Sequence, residues 1–585
     1  MKVVRYIGVV GLLMASAPAQ STWRVSVDSG GAQENGPSRD SMISANGQFV
    51  AFSSDASNLV PGDSNGNRDV FVHDLRNGQT IRVSVDSAGM QGNGDSLAAA
   101  VSADGRYVAF RSFASNLVPN DTNGAQDIFV HDCVTGTTSI IIANTSTSLY
   151  DYSIGPSISA DGRYVAFASE ASNLVTGDTN GSYDVFVFDR VTSETTLVSV
   201  DSNGVQGNGA SNQPSISGDG RFVAFSSYAS NLVPGDTNAT SDVFVHDRRT
   251  GQTTRVSVDS DGVQGNAQSG TPSISTDGRF VAFGSAATNL VPHDTNSSPD
   301  IFLHDRRTGQ TSIVSINASG AEGNNVSFNA WLSADGRFVT FSSLASNLVP
   351  GDTNAYDDIF VRDQATGLIT RVSVSDFGTQ GNYDSIFPSI SADGRYTAFL
   401  SGATNLVPGD TSLYLEIFAH DRGAASSFTP YCPGDGTVAL CPCLNTGLAM
   451  HGCENSASTG GAVLSATGAA SLSADSAQLS ASDELPTALS IVFQGSTFVA
   501  PMSFGDGLVC SGGTFERLAV SVAEGGIVIL PMAGGHSLSS LSASVGDPIA
   551  LGATRIYQVY YRDPDFAFCP GGSNVTNAIA IAWGA

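Results

Sequence analysis

Apolar residues along this chain come in short runs broken by Gly, Asp, Asn, Ser and Thr, and no helical spacing is sustained. One stretch shows the pattern. PSIS (Pro214–Ser217) alternates and stops at Gly218-Asp219-Gly220, and RFVAFSS (Arg221–Ser227) follows, apolar on both faces. DVFVHD (Asp242–Asp247), the turn Arg249-Thr250-Gly251 and TTRVSVD (Thr253–Asp259) complete the stretch. Alternation predicts a strand, and a run apolar on both faces predicts one packed between two neighbours. The Asp-Gly and Thr-Gly pairs supply the positive φ of tight hairpins. The stretch therefore reads as four short antiparallel strands.

The same stretch recurs. Its turn glycine marks seven copies at Gly47, Gly105, Gly162, Gly220, Gly278, Gly336 and Gly394, spaced by 57 or 58 residues. Four strands per unit, repeated radially, predict a β-propeller, whereas a solenoid would need polar capping repeats at its ends. The seventh unit runs from EIFAHD (Glu416–Asp421) into Gly423-Ala424-Ala425-Ser426-Ser427 without a fourth strand. The start of the chain, Trp23 to Asp28, is a fourth strand with no unit before it. The expectation is an all-β, seven-bladed propeller over residues 21–423 whose N-terminal strand closes the last blade and so removes an exposed edge. PSIS, ADGRYVAF and DVFVHD together resemble the WD40-like repeat of the PD40 type found in TolB-like propellers. The resemblance covers the whole array and implies the fold. TolB is usually six-bladed with a preceding α/β domain, so its envelope role is not implied.

Composition narrows the setting. Lys2 and Arg5, the apolar stretch Ile7–Ala15 and Ala17-Pro18-Ala19 read as a secretory signal peptide over residues 1–19. No later segment is apolar for long enough to span a bilayer, so an extracytoplasmic chain is expected, secreted or periplasmic. Acids outnumber bases 54 to 26, the net charge is −28, and Lys2 is the only lysine. Such a chain repels phosphate backbones, which excludes nucleic acid as a partner. With 45 Asp against 9 Glu, the acids belong to turns and loops rather than helices.

In each unit the short turns share one face of the disc and two long connections share the other, as in Ser226–Asp242 and Asp201–Pro214. The first connection carries Asp-x-Asn-x-x-x-Asp: Asp63/Asn65/Asp69, Asp121/Asn123/Asp127, Asp178/Asn180/Asp184, Asp236/Asn238/Asp242, Asp294/Asn296/Asp300 and Asp352/Asn354/Asp358. The seventh copy departs, with Asp410, Ser412 and Glu416. Two readings stand. The oxygens sit at calcium-loop spacing and would hold the ion at about 10⁻⁴–10⁻³ M, or they cap the turns through their own backbone. An EF-hand using the later Asp247 fails, because five strand residues carry that carboxylate about 16 Å away. The recurring His73, His131, His246, His304 and His420, with Phe188 and Arg362 in the other copies, are architectural by their symmetry. Positions that break the repeat are better site candidates: His293, Tyr356-Asp357, Trp331 and Asn144–Gly155. No nucleophile–base motif or phosphate loop is present.

After a linker at 424–431 the composition changes. Cys432, Cys441, Cys443, Cys453, Cys510 and Cys569 are disulfide candidates with fifteen pairings open, and Cys133 stands alone in the second unit. Zinc is the rival, disfavoured by the Cys-x-Cys spacing and an oxidising compartment. SIVFQG (Ser490–Gly495), GIVIL (Gly526–Leu530), ATRIYQVYYRD (Ala553–Asp563) and NAIAIAW (Asn577–Trp583) predict a β-sandwich-like module over 432–585. The Tyr-x-x-Tyr-Tyr-Arg-Asp-Pro segment and closing Ala-Ile-Ala-Trp resemble tail modules of secreted planctomycete proteins, which implies no role. The functional expectation is a non-enzymatic binding or scaffold protein presenting its long-loop face to a protein or polysaccharide. The alternatives are a polysaccharide lyase or glycosidase on that face and a structural surface or matrix component.

Overall fold

The computed structural model describes residues 20–122, 124–142, 155–292, 294–423, 428–431, 462–467, 470, 477–504, 507–523, 526–531, 536–550, 553–562 and 573–583. The chain divides into two compact units, one ending at Ala424 and the other starting at Ala425. Among the described residues no helix is long and apolar enough to cross a membrane.

In the first unit the described residues form seven four-stranded antiparallel sheets, numbered in chain order from sheet 1 within Ser38–Arg82, through sheet 2 within Ser96–Ile142, sheet 3 within Ser157–Leu197, sheet 4 within Ser211–Arg255, sheet 5 within Ser269–Ile313 and sheet 6 within Ser327–Arg371, to sheet 7 within Ser385–Asp421. Sheet 4 runs Ser211–Ile216, Phe222–Ser227, Asp242–Asp247 and Gln252–Arg255, paired in that order. Its two central strands are buried almost throughout. Phe225 and Phe244 lie opposite each other, fully buried, with ring centroids 6.0 Å apart. The core lies between sheets. Val223, Phe225 and Phe244 pack with Val185 and Val187 of sheet 3, while Ala224, Val243 and Val245 pack with Val281 and Phe283 of sheet 5. That is why the central strands are apolar on both faces.

The fourth strand is shorter than its sequence suggests, ending at Arg255. Ser257 explains the stop: its Oγ accepts from Val243 N at 3.1 Å and donates to Asp242 Oδ1 at 2.6 Å, taking the place of a ladder bond. Sheet 7 consists of Ser385–Ile390, Tyr396–Ser401, Glu416–Asp421 and the N-terminal strand Ser21–Arg24. Ser21 lies opposite Asp421 and Arg24 opposite Phe418. Backbone bonds between the short turns link each sheet to the next: Asn46 N to Ala103 O, Ala103 N to Ala160 O, Ala160 N to Gly218 O, Gly218 N to Thr276 O, Thr276 N to Ala334 O, Ala334 N to Ala392 O and Ala392 N to Ala45 O. The last of these returns to sheet 1, so the array is cyclic.

The second unit holds a six-stranded and a three-stranded sheet among its described residues. Leu464, Leu479 and Val528 of the smaller sheet share one core with Val492, Tyr557, Tyr561, Ile579 and Ile581 of the larger. Leu538 joins that core from a short helix, Leu538–Ser544, capped by Ser537. Phe428–Tyr431, read from sequence as part of a linker, is an edge strand paired with Ala578–Ile581. Cys432, Cys441, Cys443, Cys453 and Cys569 lie outside the described residues, as does the side chain of Cys510.

Candidate functional site

The Asp-x-Asn loops are built around their own hydrogen bonds. Asn65 Nδ2 donates to Asp69 Oδ2 at 2.9 Å and to Gly92 O at 3.0 Å, and Ser84 Oγ donates to Asp69 Oδ1 at 2.5 Å. Asn180, Asn238, Asn296 and Asn354 repeat the bond to the second aspartate at 2.8 to 3.1 Å. A cation also belongs to the arrangement. Arg82 Nη1 stands 3.0 Å from Asp63 Oδ1 and 3.2 Å from Asp69 Oδ2. Arg255 meets Asp236 and Asp242 at 3.5 and 3.4 Å, and Arg371 meets Asp352 and Asp358 at 3.3 and 3.2 Å. In sheet 7 Arg24 takes Asp410 at 2.9 Å and Glu416 at 3.0 Å. A guanidinium thus neutralises the carboxylate pair in these four copies.

In the remaining sheets the register puts Ile140, Leu197 and Ile313 in the arginine's place. In sheet 2 the candidate ligands Asp121 and Asp127 separate by environment. Asp121 is half-buried in the loop, whereas Asp127 is 1% exposed and opens its strand, paired with Ser112. Asn123, the third member of that copy, lies outside the described residues. Gln206 bridges Asp178 and Asp184 in sheet 3, donating to each at 2.7 Å. In sheet 5 the equivalent residue is Glu322, which accepts from Thr295 N and Oγ1 at 3.0 Å. Burial, with Asp294 and Glu322 adding repulsion, pushes Asp300 up to about 6. Among the described residues no group of three or more His, Cys, Asp or Glu is placed to hold a metal ion, so Asp121 and Asp127 belong to no such set. The same holds for the other described aspartates read from sequence at calcium-loop spacing.

The strand-end His-Asp pairs are internal. Asp247 accepts a two-point guanidinium bond from Arg221 at 2.9 and 2.6 Å. His246 Nδ1 meets Thr253 Oγ1 at 2.9 Å, and burial lowers its pKa to about 4. His73, His131 and His304 repeat that contact with Thr80, Thr138 and Thr311, and His420 with Thr22 of the N-terminal strand. A neutral buried imidazole tied to a threonine holds the strand end. Cys133 is a half-buried free thiol, pushed up to about 12 by burial.

A second site was not found from sequence. The first strand of each of six sheets skips a residue in its register, as between Asn212 and Ser215 in sheet 4 or Arg39 and Met42 in sheet 1. The residue at the skip takes a left-handed backbone: Asp40 (φ 56°), Ala98 (54°), Gln213 (56°), Thr271 (49°), Asn329 (54°) and Phe387 (53°). Gly155 occupies the same place in the third unit. A left-handed non-glycine residue costs about 1–2 kcal/mol, and bulges of this kind re-aim side chains. All seven positions line one cavity of about 460 Å³, within the size range of small-ligand sites. The bulge is the third residue of each six-residue first strand, and Arg68, from a long connection, lines the same cavity.

The wall is uneven in chemistry. Arg39, Arg68 and Arg111 line the side formed by sheets 1 and 2, and Trp331 and Phe387 come from sheets 6 and 7. Arg68 forks onto Asp55 with bonds of 2.9 and 3.0 Å. Asp40, the one acid among the described lining residues, accepts from Ser53 Oγ at 2.9 Å. Gln213 Oε1 accepts from Ser226 Oγ at 2.9 Å and Thr271 N at 2.8 Å, which leaves its amide nitrogen to meet a ligand. Phe387 is half exposed.

Of the repeat-breaking positions, Trp331 and Gly155 reach this cavity. Tyr356 packs on Tyr383 with ring centroids 5.1 Å apart, and burial beside Asp384 and Asp358 pushes Asp357 up to about 6. His293 and residues 144–154 lie outside the described residues. The missed signal was the scatter of identities at the bulge position, Asp, Ala, Gly, Gln, Thr, Asn and Phe, inside a unit that otherwise repeats closely.

No family model and no curated protein matches the chain. Among solved structures it is similar to an oligogalacturonate lyase in complex with manganese, at 13% identity and a TM-score of 0.42, covering 70% of this chain and 94% of that one. It is similar to TolB from Acinetobacter baumannii, at 15% identity and a TM-score of 0.32, covering 66% of this chain and 79% of that one. A putative TolB from Agrobacterium tumefaciens matches at 14% identity and a TM-score of 0.32, covering 59% of this chain and 94% of that one. Likeness at this level says nothing of activity.

Proposed function

We propose that this chain is an extracytoplasmic, non-enzymatic binding protein whose seven sheets are the blades of a propeller and whose ligand enters the central cavity from the long-loop face. In this reading residues 1–19 direct export, and the C-terminal unit is a sandwich-like accessory module stapled by disulfides. The observation that carries the proposal is the ring of left-handed bulges. Six non-glycine residues hold strained backbones at equivalent places, and strain of this kind gathers at ligand sites. Their side chains differ from unit to unit, so a symmetric scaffold surrounds an asymmetric site. A glycosidase would need two carboxylates about 5–9.5 Å apart, and Asp40 stands alone among the described lining residues.

The test is a panel of polysaccharides and proteins assayed with the mature protein for both binding and product. Met42→Trp serves as the cavity block, because Trp331 already occupies the equivalent strand position in sheet 6. Binding without turnover, lost in that variant, is the expected result. Binding that Met42→Trp leaves intact places the ligand elsewhere and overturns the proposal.

A further inference from the structure

Most arginines of the first unit are part of the repeat. One set holds the strand-end aspartates, as Arg221 does Asp247; another neutralises the Asp-x-Asn loops, as Arg255 does. A third caps the turn carbonyls, as Arg248 does at Gly220 O. Arg39, Arg68 and Arg111 belong to none of these sets. None of their equivalents in other units is basic: Leu97, Asn212 and Phe328 stand for Arg39, Gln126, Ser241 and Asp357 for Arg68, and Ser53 and Gly284 for Arg111. These three all line the same cavity. Chance placement is a poor account of this in a chain of net charge −28. Arg68 is forked to Asp55, with Asp40 and Asp95 also acting on it, and Arg111 Nη1 reaches Gln126 Oε1 at 3.4 Å, whereas Arg39 is exposed to solvent.

Beside sheet 1 around the ring, sheets 6 and 7 bring flat apolar rings, Trp331 and Phe387, and the amide of Gln213 comes from sheet 4 on the far side. Guanidinium groups recognise carboxylate or sulfate with paired N–H donors. Aromatic rings supply an apolar wall at little loss of conformational freedom, and amides hydrogen-bond hydroxyls. Anions, hydroxyls and apolar C–H faces within one small ligand are the features of a charged sugar.

We infer that the cavity ligand is an acidic saccharide, its carboxylate or sulfate groups held on the Arg39–Arg68–Arg111 side and a sugar face laid against Trp331 and Phe387. This rests on the central cavity being the binding site, and it adds the ligand's class.

The experiment measures affinity of the full mature protein for four probes of matched length: alginate oligouronates, sulfated dextran oligomers, neutral dextran oligomers and a poly-glutamate peptide. Wild type, Arg39→Gln and Met42→Trp are compared. Arg39 is exposed, so its variant should keep the thermal midpoint of wild type. One of the two acidic saccharides should bind at least about tenfold more tightly than the neutral one and weaken with salt, because ionic contacts are screened. Arg39→Gln should lose about tenfold of that affinity, as expected for one charge-assisted bond, and Met42→Trp should abolish binding. Preference for alginate assigns a carboxylate ligand, and preference for sulfated dextran a sulfate ligand. Neutral dextran binding as well as either, and lost in Met42→Trp, would overturn the acidic assignment while leaving the cavity as the site. Poly-glutamate binding as tightly as the saccharides would overturn the sugar assignment. Saccharide binding unaffected by Met42→Trp would remove the site itself, and with it both proposals. No binding by either acidic saccharide overturns the inference.

Discussion

At the scale of single residues, the seam where the ring closes departs from the repeat. Glu34 stands where other units have a glycine such as Gly92 or Gly207, and it is 5% exposed. Ser38 Oγ donates to its carboxyl, and burial, with Glu416 nearby, pushes its pKa up to about 9. The folded state therefore keeps a proton that the unfolded chain releases above about pH 4.5. With the folded pKa raised, stability falls as pH rises through that window, by up to about 1.4 kcal/mol per pH unit. Glu34→Gln cannot titrate. Urea unfolding at about pH 5.5 and about pH 8 should show wild type losing more stability than the variant; parallel profiles would contradict this linkage.

The loop arginines make a second residue-scale prediction. Asp242 is fully buried, and burial raises its pKa even with Arg255 beside it. Arg255→Leu reproduces Leu197 of sheet 3, where a glutamine bridges the two acids. Gln264 already makes the same bridge in sheet 4, at 2.8 and 2.9 Å. The loss should therefore be about 1–3 kcal/mol, below the 3–5 kcal/mol of a buried ion pair left with no substitute. Adding Asp236→Asn should restore part of it, and a double-mutant cycle measures the coupling.

At the scale of elements, what fixes the units side by side is the contact of each hairpin turn with its neighbour. A Cβ on Gly220 would lie 2.1 Å from Tyr164 Cδ2 of sheet 3, whereas a Cβ on Gly251, also left-handed at φ 75°, meets open space. Gly251→Ala should destabilise by about 1–2 kcal/mol from backbone strain alone. Gly220→Ala should lose a further 1–3 kcal/mol or so from the clash between sheets. Equal thermal shifts for the two variants would mean that the turn tolerates a side chain against its neighbour. The N-terminal strand is the other decisive element. Removing residues 20–28 strips the pairing from Glu416–Asp421 and takes Arg24 from Asp410 and Glu416. An unpaired edge beside two unneutralised buried acids should give a chain that self-associates in sedimentation experiments.

At the scale of the whole molecule, the net charge of −28 sets the response to salt. Self-repulsion is screened as ionic strength rises, so the thermal midpoint should hold or increase between about 0.05 M and about 1 M sodium chloride. A fall would mean that specific ion pairs, such as the Arg221–Asp247 fork, outweigh the general repulsion. Calcium at an equal ionic strength should add little, because guanidinium groups already face the carboxylates of four loops. A larger calcium shift, abolished by Glu322→Gln, would assign the ion to sheet 5.

The strand order within each unit, the count of units and the partner of the orphan N-terminal strand could be read from the chain. They follow from local signals, runs apolar on both faces and Gly-containing turns, repeated at a fixed interval. The Asp-x-Asn loops were legible as motifs but not in their chemistry. In three of them the counterion is an arginine on the adjacent strand, 13 residues past the second aspartate at Arg82, Arg255 and Arg371, and only register brings it back. Asp127 shows the same limit from the other side: its spacing matches the other copies, but register sets Ile140 where Arg82, Arg255 and Arg371 stand in theirs. The cavity was less legible still. Its seven equivalent positions are 57 or 58 residues apart, six of them left-handed and the seventh Gly155, and nothing in a single strand says that they meet at one cavity. Ring closure does that, because a cyclic array turns equivalent positions in sequence into neighbours around one axis. The repeat determined the scaffold; closure of the ring decided which of its irregular residues meet.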